Sequence, residues 1–133
     1  MKVFLPVAGL FGFSAVLLSA IGTHYFQGTM SIDNFQAFSI ATEFEMIHGI
    51  VLMLIGLFGF VTKKPFYLLT IAGYLFVIGV IFFCGDIYLK TVFDLHELVV
   101  LAPVGGIAFL LGWLFVFIAV IYYYFHAVHA HDM

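Results

Sequence analysis

Residues 66–88 read FYLLTIAGYLFVIGVIFFCGDIY, and the first twenty of them contain no Asp, Glu, Lys or Arg. A transmembrane helix needs about 20 mostly apolar residues to cross a hydrocarbon core of about 30 Å. This run is therefore long enough and apolar enough to span a bilayer. Three further runs of the same kind lie at residues 4–24, 45–61 and 101–125.

The composition of the whole chain agrees with these four runs. Of its 133 residues, 65% are hydrophobic and 8% are charged, whereas about a quarter of the residues of a soluble domain are charged. A bilayer leaves no water for unpaired backbone groups, so four such runs predict helices and not strands. We therefore predict a single all-α integral membrane domain over residues 1–133, an up-down bundle of four helices in contact with lipid.

Charge and cysteine content exclude several classes of protein. The chain has four Lys, no Arg and a net charge of −3, so it has no basic surface for binding nucleic acid. Its single cysteine, Cys84, cannot form an intrachain disulfide and is predicted to be a small buried residue. The sequence also contains no phosphate-binding loop and no Ser-His-Asp or Cys-His arrangement in a supporting context. It therefore predicts neither an enzyme nor a particular cofactor.

Lysine positions predict the orientation. Lys2, Lys63 and Lys64 fall on one side of the membrane and Lys90 on the other, which favours both termini in the cytoplasm. The first run also resembles the core of a secretory signal peptide, with Ser19-Ala20 as a cleavage site. It exceeds the usual 7–15 residues of such a core, so we interpret it as a retained helix.

Two connections carry local helix signals. Ser31 is suited to cap a helix in front of the second run, and we predict an amphipathic lead-in there at the membrane interface. Its apolar residues recur at helical spacing: Ile32, Phe35 and Phe38. Asp94 and Glu97 have the spacing of a capping box for a short helix before the fourth run.

Small residues recur three and four positions apart on two of the runs, a spacing that places them on one face of a helix. They are Ala8, Gly12, Ala15, Ser19 and Gly22 on the first run, and Gly105, Ala108 and Gly112 on the fourth, where Gly106 is a further small residue assigned to packing. Such faces let helix backbones approach closely in a membrane. We predict that they serve helix packing, and association with a second copy or with a larger membrane complex.

Ionisable residues inside the runs are the candidate site. They are His24, Glu45, His48 and Asp86, with His96 just before the fourth run. A charged side chain at the bilayer centre costs at least about 2.5 kcal/mol, so each is a candidate functional residue. The up-down topology predicts that they gather at the non-cytoplasmic end of the bundle.

Three interpretations of these residues stay open. Glu45 and His48 have the Glu-x-x-His spacing of di-iron bundles, and His24, Asp86 or His96 would have to complete a metal site. His24 and His48 facing each other would alternatively bind a haem iron. The second interpretation is a polar cluster that ties the helix ends together. The third is a pathway for protons or a small solute.

Two further ionisable groups have simple interpretations. Asp86 is four residues from Lys90 and is predicted to pair with it, with a proton relay as the alternative. The C-terminal tail contains His126, His129, His131 and Asp132, which we interpret as the solvated end of the fourth helix.

Four short motifs resemble a known family, the bacterial and mitochondrial membrane proteins called domain of unknown function 423, relatives of transmembrane protein 256. Residues 19–24, SAIGTH, are similar to the family's Gly-Ala-Phe-Gly-Ala-His, and residues 44–49, FEMIHG, to its Tyr-Gln-x-x-His-Ala. Residues 83–88, FCGDIY, resemble Phe-Ser-Gly-Ser-x-Tyr. Residues 102–106, APVGG, followed by Gly112-Trp113, resemble Thr-Pro-Ile-Gly-Gly and Gly-Trp.

The resemblance implies a four-helix membrane fold and no established activity. The chain departs from the family pattern at Glu45, where Gln or His is usual, and at Asp86, where Ser is usual. We therefore predict a small protein of the bacterial cytoplasmic membrane, structural or accessory in role. The alternative is a metal, haem or proton site at the non-cytoplasmic end of the bundle.

Overall fold

The structure is a computed structural model that describes residues 1–63, 66–93, 95 and 101–131, with side chains up to residue 123. Within these ranges the chain is almost entirely helical. The helices are α1 (Phe4–Ile21), α2 (Ile32–Thr62), α3 (Tyr67–Gly79), α4 (Gly85–Phe93) and α5 (Leu101–His131). A turn of π-helix follows α1 at Gly22–Phe26, and another, Val80–Cys84, joins α3 to α4.

These elements form the four predicted spans. The described residues contain four helical stretches long and apolar enough to cross a membrane: Phe4–Phe26, Ile32–Thr62, Tyr67–Phe93 and Leu101–Tyr123. The predicted all-α, four-span fold is therefore confirmed. The predicted capping box at Asp94 and Glu97 lies outside the described residues, as does Asp132 of the tail.

The second span differs from its predicted bounds. Its helix begins at Ile32, thirteen residues before Glu45, and runs without a break to Thr62. Ser31 caps this helix as predicted, because its hydroxyl accepts a hydrogen bond from the Asn34 backbone N–H at 3.3 Å. The predicted lead-in is thus the first part of α2. No Gly or Pro interrupts residues 32–48, and Phe38 is 1% exposed, so packing holds this segment in the bundle.

The helices pack in two antiparallel pairs, α1 with α2 and α3 with α5. Along the first pair, a Cβ added at Gly56 would lie 2.9 Å from Cγ of Leu5, and one added at Gly22 would lie 2.8 Å from Cε1 of Phe38. Between these points Gly49 meets Phe11, with 3.3 Å between their Cβ positions. Small residues therefore let α1 and α2 stay close over their shared length.

The α3–α5 pair interlocks through aromatic rings seated on glycines. The ring of Phe76 covers Gly112, where an added Cβ would lie 2.6 Å from Cε1, and the ring of Phe109 covers Gly79. A Cβ at Gly105 would overlap the backbone nitrogen of Phe83. Each of these glycines permits an approach that a side chain would block.

The two pairs meet where α2 faces the third span and α5. Buried apolar side chains from α1 to α5 form one core: Phe4, Ala8, Ala41, Leu52, Ile55, Ala72, Phe76, Val80, Cys84 and Phe109. Cys84 is 1% exposed, which confirms the prediction of a small buried residue. The polar side chains described next lie beside this core.

Candidate functional site

A buried carboxyl group, Glu45, lies where three helices meet. It is on α2 and is 5% exposed. The hydroxyl of Ser14 on α1 donates a hydrogen bond to its Oε1 at 2.5 Å, and the hydroxyl of Tyr88 on α4 donates to its Oε2 at 2.7 Å. These three residues are called the Glu45 network below. Through them one side chain connects the first three spans.

Two residues of the Glu45 network lie in the middle of their helices, whereas Tyr88 lies five residues before the end of its span at Phe93. Ser14 is ten residues after Phe4 and twelve before Phe26, which at a rise of about 1.5 Å per residue means about 15 Å and about 18 Å from the two ends. Glu45 is residue 14 of the 31 in α2. The sequence placed Glu45 at the start of its span because acidic residues interrupt the apolar pattern there, whereas the helix continues through them.

Ser14 has more acceptors than its single hydrogen can serve. Its Oγ lies 2.8 Å from the carbonyl oxygen of Leu10 as well as 2.5 Å from Glu45 Oε1. The Leu10 carbonyl lies within α1 itself, so the bond to Glu45 is the contact of Ser14 that joins two helices.

His48, one turn further along α2, sits in an aromatic box and is 3% exposed. Its ring is stacked on Phe109 with centroids 3.8 Å apart and an interplanar angle of 15°. Its Nδ1 lies 2.7 Å from the carbonyl oxygen of Phe44. A carbonyl only accepts, so Nδ1 carries the hydrogen and donates it.

The other nitrogen of His48 is held by α5. The indole N–H of Trp113 donates to Nε2 over 3.3 Å, a long distance for such a bond. Together the two bonds fix a neutral imidazole whose Nε2 lone pair points towards Trp113. Trp113 is residue 13 of the 31 in α5, so this pair lies in the inner part of that helix.

A small groove gives access to the His48 ring from outside the bundle. It lies between α2 and α5 and has a volume of about 290 Å³. We call it the His48 groove. Its walls are Phe44, Ile47, His48, Gly106, Phe109, Leu110 and Trp113. Leu110 is 73% exposed and Trp113 is 45% exposed, so the groove opens to the lipid side of the bundle.

The other predicted site residues lie apart from Glu45. His24 is exposed in the π-helical turn after α1 and lines a groove of about 620 Å³ between α1 and α2, together with Glu43. Asp86 is 5% exposed on α4, and among the described residues it has no hydrogen bond or ion pair, including with Lys90. His96 lies outside the described residues.

The predicted metal ligands do not converge. Within the described part of the chain, no three His, Cys, Asp or Glu side chains are placed to hold one metal ion. His24 and His48, the predicted haem ligands, line different grooves. Glu45 is bonded to hydroxyl groups and not to His48. Glu45 and His48 have the spacing of a di-iron motif, but their side chains make two separate sets of contacts.

The predicted packing residues fall into two groups. Ala8 and Ala15 are buried, and Gly22, Gly105 and Gly112 are each covered by a side chain or backbone of a neighbouring helix. Gly12 contributes backbone, because its nitrogen lies 3.5 Å from a Cβ built on Gly49. The others face grooves: Ser19 lines the α1–α2 groove and Gly106 the His48 groove.

Sequence reasoning missed Ser14, Tyr88 and Trp113, the hydrogen-bond partners of the buried Glu45 and His48 side chains. Ser14 is the only polar side chain in residues 4–18. A lone hydroxyl in the middle of an apolar span often bonds across helices, so this signal was present. Nothing in the sequence pairs Trp113 with His48, since 65 positions separate them.

Comparison with known proteins identifies the family. The family model described as "Protein of unknown function (DUF423)" matches residues 18–106. A UPF0382 membrane protein of Staphylococcus aureus (strain bovine RF122 / ET3-1) is 33% identical over 119 residues, 90% of this chain and 95% of the relative. The UPF0382 membrane protein YwdK of Bacillus subtilis (strain 168) is 28% identical over 125 residues, 92% of this chain and 99% of the relative. No solved structure matches the chain. This four-helix membrane protein belongs to the DUF423 family.

Proposed function

We propose that this protein is a small structural or accessory component of the membrane. The observation that carries the proposal is the Glu45 network, in which a buried carboxyl group of the second span is bonded to hydroxyl groups of two other spans. Interhelical hydrogen bonds of this kind contribute about 0.6 kcal/mol each on average, and up to about 1.7. The two hydrogen bonds of the network therefore hold α1 and α4 against α2.

The geometry gives less support to the alternatives. A metal or haem centre needs several donors aimed at one point, and the two histidines whose side chains the structure describes, His24 and His48, line separate grooves. A proton pathway needs a series of polar groups that reaches both membrane faces. In the described residues the Glu45 network ends at the Leu10 carbonyl on one side and at Tyr88 on the other.

An accessory role also needs a surface for a partner, and the α1–α2 groove supplies one. Ser19 and Ala20 line the groove on α1. Small residues that face outward from a transmembrane helix allow a further helix to pack closely. We propose that a transmembrane helix, from a second copy or from a larger complex, packs in this groove.

Site-specific photocrosslinking in native membranes tests the accessory role. We would place a photoreactive amino acid at position 20, inside the groove, and at Ile71 as the matched control, since Ile71 is exposed on α3. We expect a discrete adduct of higher mass from position 20 and none from position 71. A chain that yields no adduct at position 20 would contradict the proposal.

We further propose that both termini lie in the cytoplasm. Lys2 and Lys63 line one cavity with Tyr67, so they share one end of the bundle, and lysine-rich ends face the cytoplasm. The test uses single cysteines, Lys63→Cys and Lys90→Cys, in a Cys84→Ala background. A membrane-impermeant maleimide should label position 90 in intact cells, and position 63 only after lysis. Labelling of position 63 in intact cells would reverse the orientation.

A further inference from the structure

The His48 groove contains a hydrogen-bond acceptor and a donor side by side. His48 Nε2 accepts, because Nδ1 already donates to the Phe44 carbonyl, and the Trp113 indole donates. The single bond between them is 3.3 Å long. A hydroxyl group that entered the groove and moved the two nitrogens apart would accept from Trp113 and donate to His48, which replaces one long bond with two of ordinary length.

The walls of the groove suit a flat ring. Phe44 and Phe109 flank the imidazole, with ring centroids 5.7 Å and 3.8 Å from it. Aromatic rings prefer stacked or edge-on contacts with other rings. The volume of about 290 Å³ lies at the lower end of the range for ligand pockets. It is suited to one substituted ring.

Gly106 keeps part of the groove empty. A Cβ at Gly106 would meet no atom within 4 Å, although the residue lines the groove. Its neighbour Gly105, by contrast, is pressed against the backbone of Phe83. Gly105 thus serves helix packing, while Gly106 leaves space beside the His48 ring.

We propose that the His48 groove binds a lipid-soluble aromatic ring that carries a hydroxyl group, of the phenol or hydroquinone class. The ligand reaches the groove from the membrane, since the groove opens between exposed side chains. Its hydroxyl bridges Trp113 Nε1 and His48 Nε2. This inference goes beyond the structural role proposed above and does not depend on it.

Trp113 is the only tryptophan of the chain, so its fluorescence reports on this site alone. The experiment titrates purified protein in nanodiscs with 4-propylphenol, and separately with propylbenzene, which lacks the hydroxyl. We expect a saturable change in Trp113 emission with 4-propylphenol, at an affinity at least about fivefold higher than for propylbenzene. Equal affinities, or a change that rises linearly without saturation, would overturn the proposal.

Two variants test the walls and the acceptor. Gly106→Leu fills the space and should weaken binding at least about tenfold. Gly9→Leu is the matched control, because a Cβ at Gly9 also meets nothing within 4 Å and the residue lies away from the groove; it should bind as the unaltered protein does. His48→Phe should remove the preference for 4-propylphenol over propylbenzene. Unchanged binding by Gly106→Leu would place the ligand elsewhere and refute the site.

A titration with a hydroquinone distinguishes the two classes of ligand, phenols and hydroquinones, that carry the hydroxyl group. A 2-alkyl-1,4-hydroquinone has a second hydroxyl opposite the first, which would have to point out of the groove. Tighter binding of the hydroquinone than of 4-propylphenol would assign the site to quinol-type ligands. Equal binding would assign it to simple phenols, and the failure of both ligands to bind would refute the inference.

Discussion

Glu45 offers the sharpest test of the structure, because one side chain connects three spans. Glu45→Ala removes both hydrogen bonds, to Ser14 and to Tyr88. At about 0.6 to 1.7 kcal/mol for each interhelical bond, the free energy of unfolding should fall by about 1 to 3.5 kcal/mol. The space left by the carboxyl group adds to this loss.

Glu45→Gln keeps the length of the side chain and one of its two acceptor oxygens. A glutamine amide has a carbonyl acceptor and an NH₂ donor. It can therefore accept from Tyr88 and donate to Ser14, whose hydrogen then goes to the Leu10 carbonyl. We expect Glu45→Gln to cost less than about 1 kcal/mol, less than Glu45→Ala, because the amide can replace both bonds.

The assay is reversible unfolding in mixed micelles with increasing denaturing detergent, followed by circular dichroism. Tyr88→Phe and Ser14→Ala serve as controls, since each deletes one bond of the network; each should lose about 0.6 to 1.7 kcal/mol. Equal losses for Glu45→Gln and Glu45→Ala would contradict the expectation that the amide replaces both bonds. A Glu45→Ala variant as stable as the unaltered protein would refute the network itself.

Two further predictions concern the backbone. Gly105→Ala should destabilise the protein by about 1 to 3 kcal/mol or more, because the new Cβ would overlap the Phe83 backbone. Gly106→Ala should be neutral or slightly stabilising in the same unfolding assay, because a Cβ at Gly106 meets open space. Lys63 ends α2 in the left-handed conformation with φ 53°, so Lys63→Gly should raise the midpoint of thermal unfolding by relieving about 0.5 to 1 kcal/mol of net strain. Thr62→Gly, a control at the last residue of the helix, should lower the unfolding midpoint. A Lys63→Gly variant less stable than the unaltered protein would contradict the left-handed conformation of Lys63.

The number and nature of the spans follow from the sequence because they depend on local composition. An apolar run such as residues 66–88 can satisfy its backbone in lipid only as a helix, and Ser31 signals the start of α2 through its own side chain. The bounds of α2 were harder to predict. A hydropathy pattern stops at Glu43 and Glu45, whereas a helix stops only where its backbone hydrogen bonds or packing fail.

The site could not be derived in the same way, because its contacts are distant in sequence. Glu45 and His48 are conspicuous as ionisable residues in an apolar run, yet their partners depend on how helices rotate against one another. Tyr88 and Trp113 become partners only once Phe76 and Phe109 have settled on their glycines. Sequence spacing suggested that Glu45 and His48 act together, while their side chains bond to different helices.

These contacts explain how two helix pairs become one bundle. Close contacts between small residues and rings join α1 to α2 and α3 to α5, but such contacts are similar over a range of angles between the pairs. Among the described residues, the side-chain hydrogen bonds that cross between the pairs are Tyr88 to Glu45 and Trp113 to His48. Lipid supplies no hydrophobic force to fix the relative position of the pairs. Directional bonds between buried side chains do so, which gives the buried carboxyl and imidazole groups a part in holding the two pairs together.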